Sequence, residues 1–193
     1  MVRPIKYDFD KVLEAAMHTF WQRGYGGTSV EHLTEATQLG KGSLYNIFGG
    51  KRDLYIQALH YYGSNEVTAA ISIVNSGKAP RDALRILYGT ILTRITDHAD
   101  RRGCLLCNTS LDIGISDGEI SGQVRQCFEP LLKALSALLQ KAGLPNSDAE
   151  IQADFLFTIY TGLQVMSRGG YSTQILEATI EHTVSQLPSE LLN

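Results

Sequence analysis

Long apolar runs are missing from this sequence. No stretch of about 18 uncharged apolar residues occurs, and the richest segment, from Phe155 to Met166, is interrupted by Thr158, Thr161, Gly162 and Gln164. A membrane partner is therefore not expected. Asp8, Asp10 and Glu14 stand where a secretory leader would carry its apolar stretch, so the chain reads as cytoplasmic. Cysteine is scarce: Cys104, Cys107 and Cys127 are an odd number in 193 residues, which argues for reduced thiols over a disulfide framework. An overall basic excess is lacking too, the formal charge being −3, which taken whole counts against a nucleic-acid partner. Its distribution counts the other way: residues 1–60 hold seven Lys or Arg against six Asp or Glu, and the remainder ten against fourteen. Repeats, low-complexity tracts and strand-like alternation are absent from the pattern. With 44% hydrophobic and 19% charged residues, the chain can bury a core as one domain or as a small head on a larger body.

What the sequence does contain is helical periodicity. Phe9, Val12, Leu13, Ala16, Met17 and Phe20 recur at three- and four-residue steps between Asp8 and Arg23, with an aspartate to cap the start and Gly24 to end it. Thr28-Ser29-Val30-Glu31 has the form of a capping box, a hydroxyl followed three residues later by a carboxylate, and predicts a short helix through Ala36. Another short helix is expected from Gly40 or Lys41 to about Ile47. A long helix should follow from Lys51 to Val74, then one opened by Pro80 and running to about His98. Further helices are expected over 104–113, 117–142, 147–168 and 172–187, with a kink near Pro130 because proline lacks an N–H and crowds the preceding turn. In the penultimate helix Ile151, Phe155, Ile159, Leu163 and Met166 mark one stripe, and bulky groups on other faces require cover on two sides. With Leu176, Ile180 and Val184 on the last helix, and Gly162 allowing close approach, the pair suits a subunit interface.

Two short helices joined by a tight turn between Thr28 and Asn46 have the geometry that lays a recognition helix in the major groove of DNA. Lys41 suits phosphate or guanine, Ser43 and Asn46 suit base edges, Tyr45 suits a backbone oxygen, and Gly42 permits close approach. Lys51, at the start of the next helix, suits the sugar-phosphate chain.

At these residues the sequence resembles the TetR family of bacterial regulators. The resemblance rests on Ala16, Phe20, Gly24, Tyr25, Thr28, Ser29, Val30 and Leu33, then Gly40-Lys41-Gly42-Ser43-Leu44-Tyr45-Asn46-Ile47-Phe48, and Lys51 with Leu54, covering roughly the first 60 residues. It implies an all-α protein with a three-helix head carrying the helix-turn-helix and a six-helix body for effector binding and dimerisation. The expected division is 1–50 and 51–193. It also places Thr28, Tyr45 and Lys51 at phosphate-contact positions and Lys41, Gly42, Ser43 and Asn46 on the recognition helix, and implies dimerisation through the last two helices; with Ser29 these are the expected contacts to operator DNA, and Phe155, Ile159, Gly162, Leu163, Leu176, Ile180 and Val184 are the expected homodimer interface. The turn departs from the family pattern, with Gln38 where glycine is usual, so a blunter turn or local strain is expected.

The run Arg101-Arg102-Gly103-Cys104-Leu105-Leu106-Cys107-Asn108 resembles a segment in a TetR branch that includes sensors of electrophiles and quinones. Near a helix N-terminus and close to Arg101 and Arg102, the Cys104 thiol is a candidate for a lowered pKa. The competing reading is that Cys104 and Cys107 are small packing residues. Cys104, Cys107, Asn108, Tyr62 and Tyr88 form the candidate effector or sensor set. A single C-x-x-C gives only two metal ligands, the histidines are scattered, and no dinucleotide or phosphate-loop motif occurs, so no cofactor, metal or catalytic group is expected. The expected function is a repressor released from its operator by a small molecule or electrophile. The alternatives are an activator of the same fold, and a thiol redox protein or enzyme using Cys104 and Cys107.

Overall fold

Asp8 opens the first helix, its carboxylate accepting the Lys11 amide at 3.4 Å, and Gly24 at φ 72° ends it by donating to the Phe20 carbonyl. This helix, α1 (Phe9–Arg23), buries the predicted stripe of Val12, Leu13, Ala16, Met17 and Phe20, with Trp21 beside it. The structure, a computed structural model, describes residues 7–187, so the outermost residues of the two expected domains lie outside it. All the regular elements among the described residues are helical.

The capping box of α2 (Val30–Thr37) falls one residue later than the sequence suggests. Ser29 is the N-cap, its hydroxyl accepting from the His32 amide while the His32 ring accepts from the Ser29 amide. Thr28 is unavailable because its buried hydroxyl donates to the Gly24 carbonyl at 2.7 Å. Gln38 then takes a left-handed conformation, φ 58° and ψ 20°, and its side-chain amide donates to the Glu35 carbonyl. The turn is thus as sharp as a glycine would make it, and the expected strain sits at Gln38. Helix α3 (Lys41–Phe48) buries Leu44 and Phe48, and the Phe48 ring stacks on Phe9 of α1 at 5.4 Å.

The expected helix from Lys51 to Val74 is continuous but not uniform. It comprises α4 (Lys51–Tyr62), a π-helical segment (Gly63–Val67) and α5 (Thr68–Val74). Pro80 occupies the first turn of α6 (Pro80–His98), where its missing N–H costs nothing. Then come α7 (Leu105–Leu111), whose N-cap is Cys104, a 3₁₀ turn (Ile113–Ile115) and α8 (Gly118–Lys141). Asp117 caps α8 by accepting from the Glu119 and Ile120 amides. The helix runs unbroken through Pro130, and because Pro130 and Gln126 are both exposed, the carbonyl freed on Gln126 can be hydrated. The last two helices among the described residues are α9 (Asn146–Arg168) and α10 (Thr173–Ser185). Counting α4 to α5 as one helix, the body shows the six helices expected among the described residues.

The two last helices correct the sequence reading. Leu176, Ile180 and Val184 of α10 are buried within the protomer, where α10 packs along α6 and Arg85 reaches Glu181 at 3.0 Å. Leu163 of α9 is likewise buried. These four are therefore core and not free to meet a second chain, since periodicity identifies an apolar face without saying what covers it. The inner face of α9 is instead Ala149, Ala153, Leu156, Leu163, Gln164 and Ser167, three of them small groups that admit a close neighbour. Ile151 (71% exposed), Phe155 (47%) and Val165 face outward with Gly162, and Ile159 is half-buried.

Polar bonds as well as packing tie the head, and the helix α4 that follows it, to the rest of the body. The Trp21 indole donates to the Gly103 carbonyl at 3.2 Å, and the Tyr25 amide to the Asp112 carboxylate at 3.2 Å. Arg52 grips Asp117 with two bonds and Glu119 with a third. Tyr55 of α4 bonds Thr109 of α7 at 2.7 Å in a buried setting. The Arg102 guanidinium lies 3.9 Å above the Trp21 ring.

Candidate functional site: a nucleic-acid interface and a thiol-lined cavity

Helix α3 turns Leu44 and Phe48 inward, so the three- and four-residue spacing necessarily turns Lys41, Gly42, Tyr45 and Asn46 outward. Ser43 is half-buried at the edge of that face. Tyr45 is 40% exposed, and its hydroxyl makes no hydrogen bond among the described residues. These side chains form one contiguous surface of hydrogen-bonding groups presented by a helix short enough to enter a groove.

Three of the other expected contacts are less free. Thr28 is 1% exposed and its hydroxyl is committed to Gly24, so its place is structural, holding the entry to α2. The Ser29 hydroxyl is engaged as an N-cap. Lys51 opens α4 but rests its ammonium 4.2 Å over the Tyr25 ring; burial lowers its pKa, against the pull of Asp112.

In the body, a cavity of about 100 Å³ lies between the linker helix, α6, α8 and α9. Tyr62, Glu66, Arg94, Cys104, Tyr160 and Gln164 give it its polar groups. By the measure in which one water needs about 10–15 Å³, several waters or one small molecule fit. Of the candidate sensor set, Tyr62 and Cys104 line this cavity. Cys107 backs onto a different space, an open groove of about 1080 Å³ beside α7, α8 and α9 that Leu111, Phe128, Phe157 and Val165 also line. Tyr88 is fully buried and donates to the Leu156 carbonyl at 3.0 Å, tying α6 to α9 away from either space. Asn108 braces the loop before α7 by donating to the Arg102 carbonyl at 2.9 Å. Neither Tyr88 nor Asn108 lines the cavity or the groove.

The Cys104 thiol is pulled down to about 7. Burial opposes this, and the polar groups around the sulfur, the Cys107 thiol and amide, the Tyr62 hydroxyl and the Leu106 amide, outweigh it. Cys107 is pushed up, first by the neighbouring Cys104 thiol and then by burial. Tyr62 is raised by burial and by the neighbouring sulfur. The arginines do not act as the sequence suggests. Arg101 donates to the Tyr171 carbonyl at 2.9 Å, and Arg102 pairs with Asp100 and stacks on Trp21. The negative charge of Cys104 is instead favoured by the amides of the first turn of α7.

Tyr160, Gln164, Arg94 and Glu66 escape the sequence reading. Tyr160 and Gln164 are four residues apart on α9 and thus on one face, and Arg94 is a charge in the second half of α6, so a weak signal exists, but only the packing unites them.

Residues 12–58 match the family model described as bacterial regulatory proteins, tetR family. Residues 80–182, more than half the chain, match that of the transcriptional regulator LmrA/YxaF-like C-terminal domain. The chain belongs to the TetR family. It is a DNA-binding transcriptional regulator of that family, with an all-helical head-and-body fold. Among TetR relatives it is similar to the HTH-type transcriptional repressor ComR of Escherichia coli (strain K12), 28% identical over 180 residues, 90% of this chain and 86% of that one. It is similar also to the repressor DhaR of Mycobacterium sp. (strain GP1), 26% identical over 78% of this chain and 77% of that one. Its fold superposes on that of the TetR family regulator CifR, a cysteine mutant solved with a 26 bp double-strand operator DNA. The TM-score is 0.81 at 27% identity, covering 96% of this chain and all of that one. No helix among the described residues is long and apolar enough to cross a membrane.

Proposed function

We propose that this chain is a homodimeric repressor whose head, up to residue 50, grips operator DNA and whose body, from residue 51, releases it when a small molecule or electrophile enters the cavity beside Cys104. The observation that carries this reading is the unpartnered face of Lys41, Gly42, Tyr45 and Asn46 on a head bonded directly to the helix that walls the cavity. Lys41 and Tyr45 take phosphate or base-edge roles and Asn46 a base-edge role, with Ser43 at the margin. Lys51 reaches the phosphate chain by leaving the Tyr25 ring. ComR and DhaR being named repressors favours repression over activation, and relatives that are transcriptional regulators favour regulation over a thiol enzyme.

The dimer is built on the outward face of α9, using Phe155, Ile159 and Gly162 from the sequence reading together with Ile151 and Val165, and on Ile175 of α10. The two recognition helices then enter successive major grooves about 34 Å apart. An effector that favours a different spacing by a few kcal/mol empties the operator. The test is to select the operator from genomic fragments and titrate it by gel shift. Tyr45→Ala should lose at least about tenfold in affinity, a change of about 1.4 kcal/mol, while sedimenting as the parent does. Undiminished affinity would remove the assigned face.

A further inference from the structure

Cys104 and Cys107 are the N-cap and third residue of α7. Helix geometry sets Cα atoms three residues apart at about 5 Å, inside the range a disulfide spans. The pair is therefore bridgeable without moving the backbone far. The two residues share one face of α7 and border two spaces: Cys104 lines the cavity with Tyr62, and Cys107 lines the open groove. Cys127, the remaining cysteine, packs instead against Gly63 of the linker and lines neither space.

We infer that Cys104 and Cys107 are a peroxide-oxidisable dithiol, Cys104 attacking from the cavity and Cys107 resolving, which closes to an intramolecular disulfide. The Cys104 thiolate attacks one oxygen of a small hydroperoxide, breaking the O–O bond; the sulfur becomes a sulfenic acid and the other oxygen leaves as alkoxide or hydroxide, taking a proton. The Cys107 thiol then attacks that sulfur, the S–S bond forms, the S–O bond breaks, and water departs with the Cys107 proton. Two thiols and one hydroperoxide thus give one disulfide, one alcohol or water, and one further water. The cavity of about 100 Å³ admits hydrogen peroxide to Cys104 and is too small for glutathione disulfide, while the Cys107 thiol, though it borders the open groove, is itself buried and its pKa pushed up. Closure also removes the thiolate that faces the buried Tyr62 hydroxyl, at the last residue of α4, so the linker to the head loses a partner when the bridge forms. This rests on the reading of the cavity as the effector site.

The test treats the full chain with equimolar hydrogen peroxide, and separately with glutathione disulfide, and counts thiols before mapping the alkylated peptides by mass spectrometry. Peroxide should lower the titratable thiols from three to one, with the bridge between 104 and 107 and Cys127 still alkylated. Glutathione disulfide should leave all three. In Cys107→Ser, dimedone should trap a sulfenate at Cys104. A sulfinate at Cys104 in the parent chain, a bridge to Cys127, or dimedone capture at Cys107 in Cys104→Ser would overturn the assignment. Operator affinity of the same samples separates the two claims: a bridge without release keeps the thiol chemistry and refutes the effector site. Release by acrolein with no bridge under peroxide refutes the dithiol alone.

Discussion

The bond between Tyr55 and Thr109 makes a prediction whose asymmetry follows from counting protons. The Thr109 hydroxyl already donates to the Leu105 carbonyl at 2.7 Å, so in its 2.7 Å contact with Tyr55 the phenol must be the donor. Tyr55 is 1% exposed, its ring packed edge-on to Phe20 at 4.7 Å and against Tyr25 at 5.0 Å, and burial pushes its pKa up to about 12. Tyr55→Phe removes a donor and leaves Thr109 still satisfied through Leu105, so it should cost only the net value of one hydrogen bond, about 1 kcal/mol. Thr109→Val is nearly isosteric but strands a buried phenol with no acceptor, and should cost more, about 2 kcal/mol within a range of 1–3. The double variant strands nothing and should lie nearer the Phe variant than the sum of the two, a coupling of about 1 kcal/mol or more. Urea unfolding at pH 7 and fixed protomer concentration measures this, since dimerisation would make midpoints depend on concentration. Each kcal/mol corresponds to about 2–4 °C in Tm at this chain length. If Thr109→Val proved no more costly than Tyr55→Phe, the assigned proton direction would be wrong, and with it the view that this bond ties α4 to α7.

Three further outcomes are expected. Gln38→Val forces a β-branched residue into the left-handed turn and should lower stability by about 1–2 kcal/mol, whereas Gln38→Gly should stay within about 1 kcal/mol of the parent; equal urea midpoints for the two would contradict the φ of 58°. Gly103→Ala places a Cβ 2.7 Å from the Gln164 carbonyl oxygen at φ +68°, so thermal unfolding should show a loss of about 2–4 kcal/mol; a Tm matching the parent would argue against that close approach. Partial burial alone would raise the Asp100 carboxyl, but the Arg102 and Arg94 guanidiniums, with the Arg102 amide, hold it well below the usual range. Because the folded pKa is depressed, this stabilisation is present above the unfolded value of about 3.9 and is lost as pH falls through the acid range. Asp100→Asn should therefore flatten the fall in stability below about pH 4, and an unchanged acid limb would show the pairing to be idle.

What can be read from the sequence is what is decided locally. Asp8, Gly24, Pro80 and Asp117 mark helix ends because a cap depends on residues one turn away. The box at Ser29 is displaced from Thr28 by a single competing bond to Gly24, which no pattern records. The apolar stripe of α10 is real, but only packing shows that α6 covers it and that the outer side of α9 lies bare. The same holds for the sensor set: Tyr62 and Tyr88 look alike along the chain, yet one faces a cavity and the other spends its hydroxyl on Leu156. Arg101 and Arg102 flank Cys104 in sequence and turn away from it in space, toward Tyr171 and Trp21.

The π-helical turn after Tyr62 gives the linker a spare residue. Were that surplus handed on along the helix, everything on its N-terminal side would screw through about 100° and advance about 1.5 Å. A symmetric pair of heads driven this way would roll in opposite senses about their own axes. The angular phase of the two reading surfaces around the duplex would then change before their separation did, and operators with altered helical repeat would feel it first.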